Sequence, residues 1–465
     1  HLQRRRQRQM CIRDSSMGEL EVLESALYGP QTQRALNNFP ISGKRMPRSF
    51  VETLIQAKGA AAVANKSLGL LSPEISEAIY VASQELLGDD FMEHFPVDVY
   101  QTGSGTSSNM NANEVIANIA SKQSGKTVSP NDHVNCGQSS NDIIPTCIHV
   151  SAVKEIKTKL LPSLLHLVKS ISEKAKESKS FIKTGRTHLM DAMPIRFDQC
   201  LSAWETQINQ NIDLIELMIP KLSLLAQGGT AIGTGINAHP KFSEEFCKEM
   251  SNLTGHQFKP SDNFFSQLGS QDTIVALSGH LKTTAVSMMK IANDLRWMNS
   301  GPLAGLGEIE LEALQPGSSI MPGKVNPVIP EATAMVCAQV IGNDAAITIG
   351  GQSGNFELNV MLPMICENIL SSLELLANVA VILSDKAIKS FVVNEDQILK
   401  ALSRNPILVT ALNPIIGYLK AAEIAKKAYK ERLPVIDVAE RETDIPRSEL
   451  EKLLDPKKLT EGGIP

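Results

Sequence analysis

The sequence predicts a mainly all-α fold with a central bundle of long helices. Apolar residues recur at three- and four-residue spacing along 153–171, which places them on one helix face. Similar runs cover 201–225, 274–297, 332–349 and 360–383. These runs exceed the average globular helix of about 11–12 residues. Long helices that each carry an apolar face must pack on one another, and alternating strand patterns are too scarce for a doubly wound sheet.

The composition divides the chain into a leader and three predicted domains. The leader, residues 1–16, is rich in arginine and is interpreted as an organellar transit peptide, a basic arm or a non-native or disordered segment. The last interpretation is favoured. Residues 17–140 form a predicted N-terminal domain of short helices and loops rich in Gly, Ser and Asn. Residues 141–393 form the helical bundle, and 394–465 form a small C-terminal helical domain whose helices are separated by prolines.

Proline and glycine mark where two of the long helices should end. Pro220 and the pair Gly228-Gly229 close the helix that begins near Leu201. The pair Gly301-Pro302 closes the helix that begins near Ile274. Both ends are therefore expected within the predicted bundle domain.

Composition and charge exclude several classes of protein. A 465-residue chain with 42% hydrophobic and 20% charged residues is expected to fold. The net charge of −5 gives no overall basic field for nucleic acid, and no run approaches the ~20 consecutive apolar residues of a membrane helix. The seven cysteines contain no CxxC pair and fit a reducing compartment. We expect the protein to be located in the cytoplasm, or in the mitochondrial matrix if the leader is a transit peptide.

Two polar segments in the first part of the chain have the composition of anion-binding loops. QTGSGTSSN at 101–109 crowds hydroxyls, amides and glycine N–H groups together, and such a loop wraps an anion or forms a flexible turn. QSSND at 138–142 precedes a long helix, and helix N-termini attract carboxylates and phosphates. Ordinary helix capping by Ser or Asn explains the second segment equally well.

Two later segments carry groups suited to proton transfer. The segment 185–192 contains His188, and histidine is the usual general acid or base near neutral pH, although a structural histidine fits the same pattern. The segment 317–327 reads GSSIMPGKVNP and is shaped by its glycines and prolines. It holds two serines and Lys324, and Glu331 follows closely.

Neither glycine-rich stretch is a nucleotide-binding motif. Five residues separate Gly317 from Gly323 and valine follows the lysine, whereas a P-loop has one residue fewer and then Ser or Thr. The stretch Gly229 to Gly233 follows a predicted helix instead of a strand. Together the four segments offer neutral donors, one lysine, one histidine and one acid, without a metal-ligand cluster. That set suits a small polyanionic substrate and proton transfer without a metal.

At these segments the chain resembles the fumarase/aspartase superfamily. SSIMPGKVNP resembles its signature loop, and the similarity runs from about residue 17 to about residue 430. QTGSGT, QSSND, GRTHL and MPGKVN resemble the metal-independent (class II) fumarate hydratases. Aspartases typically carry Gln at the position of His188. They carry Pro-Ala-Lys where this chain has Pro-Gly-Lys at 322–324.

The resemblance implies reversible hydration of fumarate to L-malate, a step of the tricarboxylic acid cycle. It implies anti addition of water through an aci-carboxylate intermediate, without a cofactor. It also implies a three-domain fumarase/aspartase-like fold in a homotetramer, with each active site taking loops from three subunits. Neither a nucleic-acid partner nor a membrane is expected.

The resemblance also implies a role for each site residue. Ser318 is the expected base, Lys324 holds the developing charge, and His188 protonates the leaving hydroxyl with Glu331 paired to its imidazole. Glycines around the serine loop imply a mobile lid. The residues expected to bind the substrate carboxylates are Ser104, Gly105, Thr106, Ser139, Ser140, Asn141, Thr187, Ser319 and Asn326.

One departure concerns the secondary anion site of the superfamily, which usually reads His-Pro-Asn-Asp. Here it reads Ser129, Pro130, Asn131 and Asp132, so the imidazole is missing and binding at this site is in doubt. Two functional alternatives remain open. One is an ammonia-lyase acting on aspartate or a related amino dicarboxylate. The other is a non-catalytic protein, which would be expected to lose the serine, lysine or histidine.

Overall fold

The computed structural model describes residues 10–13, 18–88 and 90–463. The chain divides into two compact units. Unit 1 comprises the chain through Pro162, together with Asp213–Thr283 and Ala338–Ala377; unit 2 comprises Ser163–Ile212, Thr284–Cys337 and the chain from Asn378 onwards. Most of the predicted leader, residues 1–9 and 14–16, lies outside the described residues. The predicted division into three domains stays a prediction.

Helices dominate the structure, as the periodicity predicts. They are α1 (Pro30–Asn38), α2 (Arg48–Ser67), α3 (Pro73–Leu86), α4 (Thr106–Ser124), α5 (Ser140–Glu155), α6 (Leu161–Glu177), α7 (Phe197–Glu216), α8 (Ile219–Leu222), α9 (Phe242–Thr254), α10 (Phe264–Gly269), α11 (Asp272–Met298), α12 (Val328–Gln352), α13 (Leu362–Leu383), α14 (Glu395–Ser403), α15 (Asn413–Ile416), α16 (Tyr418–Glu431), α17 (Val435–Glu442), α18 (Arg447–Leu453) and α19 (Pro456–Leu459).

The long apolar runs of the sequence fall on these helices. The run 153–171 covers the end of α5, a π-helical turn at Ile156–Leu160 and most of α6. The prediction of one helix over 201–225 is wrong in part, because α7 ends at Glu216. Pro220 lies in the first turn of α8, where helix N–H groups lack intrahelical partners and proline is tolerated.

The strands are short, and within the described residues they form two-stranded sheets. They are β1 (Met10–Arg13), β2 (Leu20–Leu23), β3 (Ile182–Thr187), β4 (Met190–Arg196), β5 (Leu224–Leu225), β6 (Lys259–Pro260), β7 (Ile309–Glu310), β8 (Gly354–Asn355), β9 (Leu358–Asn359) and β10 (Val392–Val393). β5 pairs with β6 in parallel. The antiparallel pairs are β1 with β2, β3 with β4, β7 with β10, and β8 with β9.

The core of unit 1 is built around α2, which packs against α3, α5 and α9. α2 is rich in small residues and buries large ones such as Phe50, Leu54 and Ile55. α5 is buried on almost all sides, as expected for a helix at the centre of a packed unit. The packed α2 and α5 hold the loops between them in place.

The core of unit 2 includes a cluster of apolar side chains from its C-terminal helices. Leu402, Leu412, Ile424, Val438 and Leu450 are among its buried members. The hairpin formed by β3 and β4 packs against α14, the 3-10 segment 406–412 and α19. The C-terminal helices therefore support the hairpin that contains the GRTHL segment.

Two helical stretches, Val328–Gln352 and Leu362–Ile388, are long and apolar enough to cross a membrane by length and composition alone. Core helices of globular proteins satisfy the same criteria, so this is weak evidence for a membrane span. Only 33% of the most apolar window in Val328–Gln352 is buried within one chain. Met335 and Ile349 are among its exposed side chains. One chain therefore leaves apolar helix surface uncovered.

Candidate active site

The first predicted loop forms a chain of hydroxyl groups in unit 1. The hydroxyls of Ser104 and Thr106 are hydrogen-bonded at 2.8 Å, and those of Thr106 and Ser140 at 2.7 Å. Thr106 begins α4 and Ser140 begins α5, so the cluster lies at two helix N-termini, which attract anions. A Cβ at Gly103 would lie 1.8 Å from the Val360 carbonyl oxygen, so only glycine fits there.

The second predicted loop is fixed in place by Asp142. The N-cap Ser139 and Asp142 form a capping box at the start of α5. Asp142 Oδ2 accepts hydrogen bonds from Gln227 Nε2 at 3.0 Å, Gly228 N at 3.0 Å and Thr230 N at 2.9 Å. Burial raises the pKa of Asp142 to about 6, and the backbone N–H donors of Ser139, Gly228 and Thr230 oppose this shift. Ser139 and Ser140 are thus held on a rigid support.

The third predicted segment forms a β-hairpin. Gly185 and Thr187 belong to β3, and the two-residue turn His188-Leu189 leads into β4. His188 and Leu189 have φ values of 53° and 61°, and positive φ at both central residues is the pattern of a type I′ turn. The turn exposes the His188 side chain at the hairpin tip.

A buried ion cluster supports this hairpin. Glu308 Oε2 lies 2.7 Å from Lys183 Nζ, and Glu308 Oε1 accepts a hydrogen bond of 2.6 Å from Arg186 Nη1. Both cations lie on β3, two to five residues before His188. Glu308 was not predicted as part of the site, because no local pattern links it to the GRTHL segment.

The fourth predicted segment is a compact loop closed by its own backbone. Gly317 N donates to the Lys324 carbonyl oxygen at 2.8 Å, and Asn326 Nδ2 donates to the Gly317 carbonyl oxygen at 2.7 Å. A Cβ at Gly317 would lie 2.4 Å from the same Lys324 oxygen, so the loop requires glycine there. Ser318 Oγ accepts hydrogen bonds from the backbone N–H groups of Ile320 at 3.3 Å and Met321 at 3.1 Å. Two donors therefore point at the serine oxygen.

Lys324, Asn326 and Glu331 line a cleft of about 860 Å³ in unit 2. Lys324 Nζ donates to Asn326 Oδ1 at 2.8 Å. Glu331 lies in the first turn of α12, where a carboxylate is favoured. Other polar residues of the cleft carry no motif in the sequence and were not predicted; they include Asn293, Arg296, Asn299 and Asn394.

The predicted site residues fall into two groups along the chain. Ser104, Gly105, Thr106, Ser139, Ser140 and Asn141 belong to unit 1, whereas Thr187, His188, Ser318, Ser319, Lys324, Asn326 and Glu331 belong to unit 2. Among the described residues the His188 ring makes no hydrogen bond and no ion pair. The expected pairing of Glu331 with His188 therefore stays a prediction.

Comparisons with known proteins decide the family. The family model described as Lyase matches residues 18–342, and that described as Fumarase C C-terminus matches residues 408–461. A fumarate hydratase class II from Pseudomonas aeruginosa is 66% identical, over 97% of this chain and 99% of the relative. One from Xylella fastidiosa is 56% identical, over 97% and 96%. The chain belongs to the class II fumarases of the fumarase/aspartase superfamily.

The structure agrees with this assignment to the class II fumarases. The crystal structure of a class II fumarase from Schistosoma mansoni matches it with a TM-score of 0.95 at 37% identity. The match covers 97% of this chain and 99% of that protein. The predicted fold class, helical and fumarase-like, is thereby confirmed.

Two further features bear on anion and metal binding in this class II fumarase. Ser129 Oγ donates to Asp132 Oδ2 at 2.8 Å and accepts from Asp132 N at 3.1 Å, so the serine caps a π-helical turn at Pro130–Val134. Ser129 N donates to His133 Nδ1 at 3.0 Å, which places an imidazole beside the predicted secondary site, Ser129 to Asp132. Within 10–13, 18–88 and 90–463, no group of three or more His, Cys, Asp or Glu side chains could hold a metal.

Proposed function

We propose that the protein catalyses the reversible hydration of fumarate to L-malate. The observation that carries the proposal is the serine loop, in which two backbone N–H groups donate to Ser318 Oγ beside a cleft lined by Lys324 and Glu331. Close relatives named class II fumarate hydratases support the same activity. The reaction removes a proton from carbon, which requires a base and a stabilised anion.

Ser318 is the proposed base in the dehydration direction. A serine hydroxyl is a weak base, so its alkoxide must be stabilised before it can take the proton beside a substrate carboxylate. The N–H groups of Ile320 and Met321 donate to this oxygen and supply that stabilisation. Donors fixed in advance are effective because they need no reorganisation when charge develops.

Lys324 and Asn326 are proposed to hold the aci-carboxylate. Removal of the proton places extra negative charge on the neighbouring carboxylate, and the two side chains are already joined at 2.8 Å in the same cleft. Preorganised donors at developing charge are each worth about 10²–10³ in rate. Elimination is completed when His188, oriented by Glu331, protonates the leaving hydroxyl.

The hydroxyl cluster of unit 1 is proposed to bind the substrate carboxylates. Ser104, Thr106, Ser139, Ser140 and Asn141 supply neutral donors at two helix N-termini. Thr187, Ser319 and Asn326 are further proposed binding residues for the substrate carboxylates. Such donors suit a dicarboxylate, the substrate class implied by the fumarate hydratase relatives.

We propose further that the protein is a homotetramer whose active sites each take loops from three copies. The apolar surface left uncovered on α12 supports association of long helices. Light scattering should give four times the mass of one chain. A monodisperse monomer with full activity would contradict this arrangement.

We also propose a cytoplasmic location. Cys136, Cys147, Cys200, Cys247, Cys337 and Cys366 are all free thiols, as expected in a reducing compartment. Fractionation of the source cells should place the activity in the cytoplasmic fraction. Recovery in another compartment would contradict the proposal.

Ultraviolet absorbance of the fumarate double bond tests the proposed activity. Purified protein is added separately to L-malate and to L-aspartate. An absorbance rise with L-malate alone is the expected result. A rise with L-aspartate alone would assign the protein to the ammonia-lyases, and silence with both would overturn the proposal.

A further inference from the structure

Lys58 is a buried lysine that the proposed chemistry does not use. It lies in the middle of α2 and its side chain is fully buried. Its Nζ donates to Asn135 Oδ1 at 3.0 Å and to Gln138 Oε1 at 2.9 Å. Within the described part of the chain, no carboxylate forms an ion pair with it. Lysine is rarely buried without an ionic partner, so this position calls for an explanation.

The two amides that bind Lys58 connect it to both carboxylate-binding loops. Asn135 Oδ1 also accepts from Asn109 Nδ2 at 3.2 Å, and Asn109 lies in the first turn of α4, three residues after Thr106. Asn135 Nδ2 donates to the Gln138 carbonyl oxygen at 3.1 Å. Gln138 directly precedes the N-cap of α5. Lys58 therefore joins the starts of the two helices that carry the hydroxyl cluster.

Three hydrogen bonds fix the orientation of the Gln138 side chain. Its Oε1 accepts from Lys58, and its Nε2 donates to the carbonyl oxygens of Val134 at 3.0 Å and Cys136 at 3.3 Å. Asp142 fixes the same loop through its own hydrogen bonds. The segment that carries Ser139 and Ser140 is thus held by Lys58, through Gln138, and by Asp142.

We propose that Lys58 is a positioning residue that sets the affinity for the dicarboxylate, because it fixes the QSSND segment at 138–142 through Gln138 and adds a buried positive charge close to that segment. This proposal rests on the proposed function. Hydrogen bonds from an ammonium group are stronger than those between neutral groups, so the charge makes the clamp rigid. The same charge adds to the positive ends of α4 and α5 and favours a bound dianion.

Burial opposes the positive charge of Lys58, and a bound anion favours it. Burial lowers the pKa of Lys58 to about 7, and the charges of Cys147 and Asp142 oppose the shift. Burial raises the pKa of the Cys147 thiol to about 12, which favours its neutral form. A buried ammonium that lacks a carboxylate partner is stabilised when an anion binds nearby.

Lys58→Met tests the proposal, because methionine retains most of the stem and removes the charge and the donors. Lys66→Met is the matched control, since Lys66 lies on the same helix but is exposed. We expect Lys58→Met to raise KM for L-malate and the inhibition constant of succinate at least tenfold, with kcat within about threefold of wild type. Loss of binding that is shared by the ground and transition states raises KM and leaves kcat unchanged.

Gln138→Met is the second variant, because it breaks the same link while Lys58 remains. It should show the same split between KM and kcat. Unchanged KM in folded Lys58→Met or Gln138→Met protein would overturn the proposal. Loss of folding in both variants would also overturn the proposal, since Lys58 and Gln138 would then serve the stability of the fold. Wild-type protein that is inactive with L-malate would instead overturn the proposed function.

Discussion

Replacing Glu308 by glutamine removes the negative charge that balances two buried cations under the His188 hairpin. The side chain of Glu308 is 3% exposed, that of Lys183 is 9% exposed and that of Arg186 is 16% exposed. Removing one partner of a buried ion pair costs about 3–5 kcal/mol, because an uncompensated charge stays buried. Glutamine keeps the shape and one acceptor, and Arg186 is partly solvated. We therefore expect the free energy of unfolding to fall by about 3 kcal/mol.

The assay combines urea unfolding with steady-state kinetics at one fixed protein concentration. His188 lies two residues beyond Arg186, so a looser hairpin displaces it. Misplacement of a reacting group by about 1 Å costs about 10²-fold in rate, and kcat for L-malate should fall accordingly. Glu312→Gln is the stability control, because Glu312 is exposed. This substitution should change the free energy of unfolding by no more than about 0.5 kcal/mol.

A double variant, Lys183→Met with Glu308→Gln, sharpens the test. It removes one of the two uncompensated cations and should recover part of the lost stability. A free energy of unfolding for Glu308→Gln within about 1 kcal/mol of wild type would refute this prediction, because a broken buried ion pair is expected to cost about 3–5 kcal/mol.

Three further predictions concern His188, Gly317 and His149. His188→Asn should lower kcat by about 10²–10⁴-fold without loss of fold, since asparagine tolerates the positive φ of this turn; an unchanged kcat would remove the acid role. Gly317→Ala should lower kcat about 10²-fold, because the added Cβ meets the Lys324 carbonyl oxygen at 2.4 Å; a wild-type rate would show that the loop adapts. Burial lowers the pKa of His149 to about 4, so on acidification this histidine is protonated in the unfolded chain before it is protonated in the folded protein. The free energy of unfolding should therefore fall by about 3 kcal/mol as the pH drops from about 6.5 to about 4. His149→Gln should flatten that dependence in unfolding measurements, and an equally steep loss would assign it to other groups.

Periodicity predicts the long helices because each must bury one face, and α11, α12 and α13 lie where the apolar runs occur. It could not predict the hairpin at His188. Type I′ turns usually carry Asn-Gly or Asp-Gly, and His-Leu gives no such signal. Here the surrounding structure imposes the positive φ values.

The polar loops were identified because their composition is unusual, and in the structure the hydroxyls of Ser104, Thr106 and Ser140 are linked by hydrogen bonds. Their supports were not predictable. Lys58 and Asn135 are 77 residues apart, and Arg186 and Glu308 are 122 apart. Such pairs arise from packing of distant segments, which a single sequence does not record.

The turnover of L-malate by Ser318→Ala tests the proposed catalytic base most directly. We expect kcat to fall by at least about 10²–10⁴-fold, while the fold and the affinity for succinate are retained. Ser319→Ala is the neighbouring comparison; it should raise KM and lower kcat much less, because Ser319 is assigned to binding. A Ser318→Ala protein that forms fumarate at the wild-type rate would contradict the assignment of Ser318 as the base.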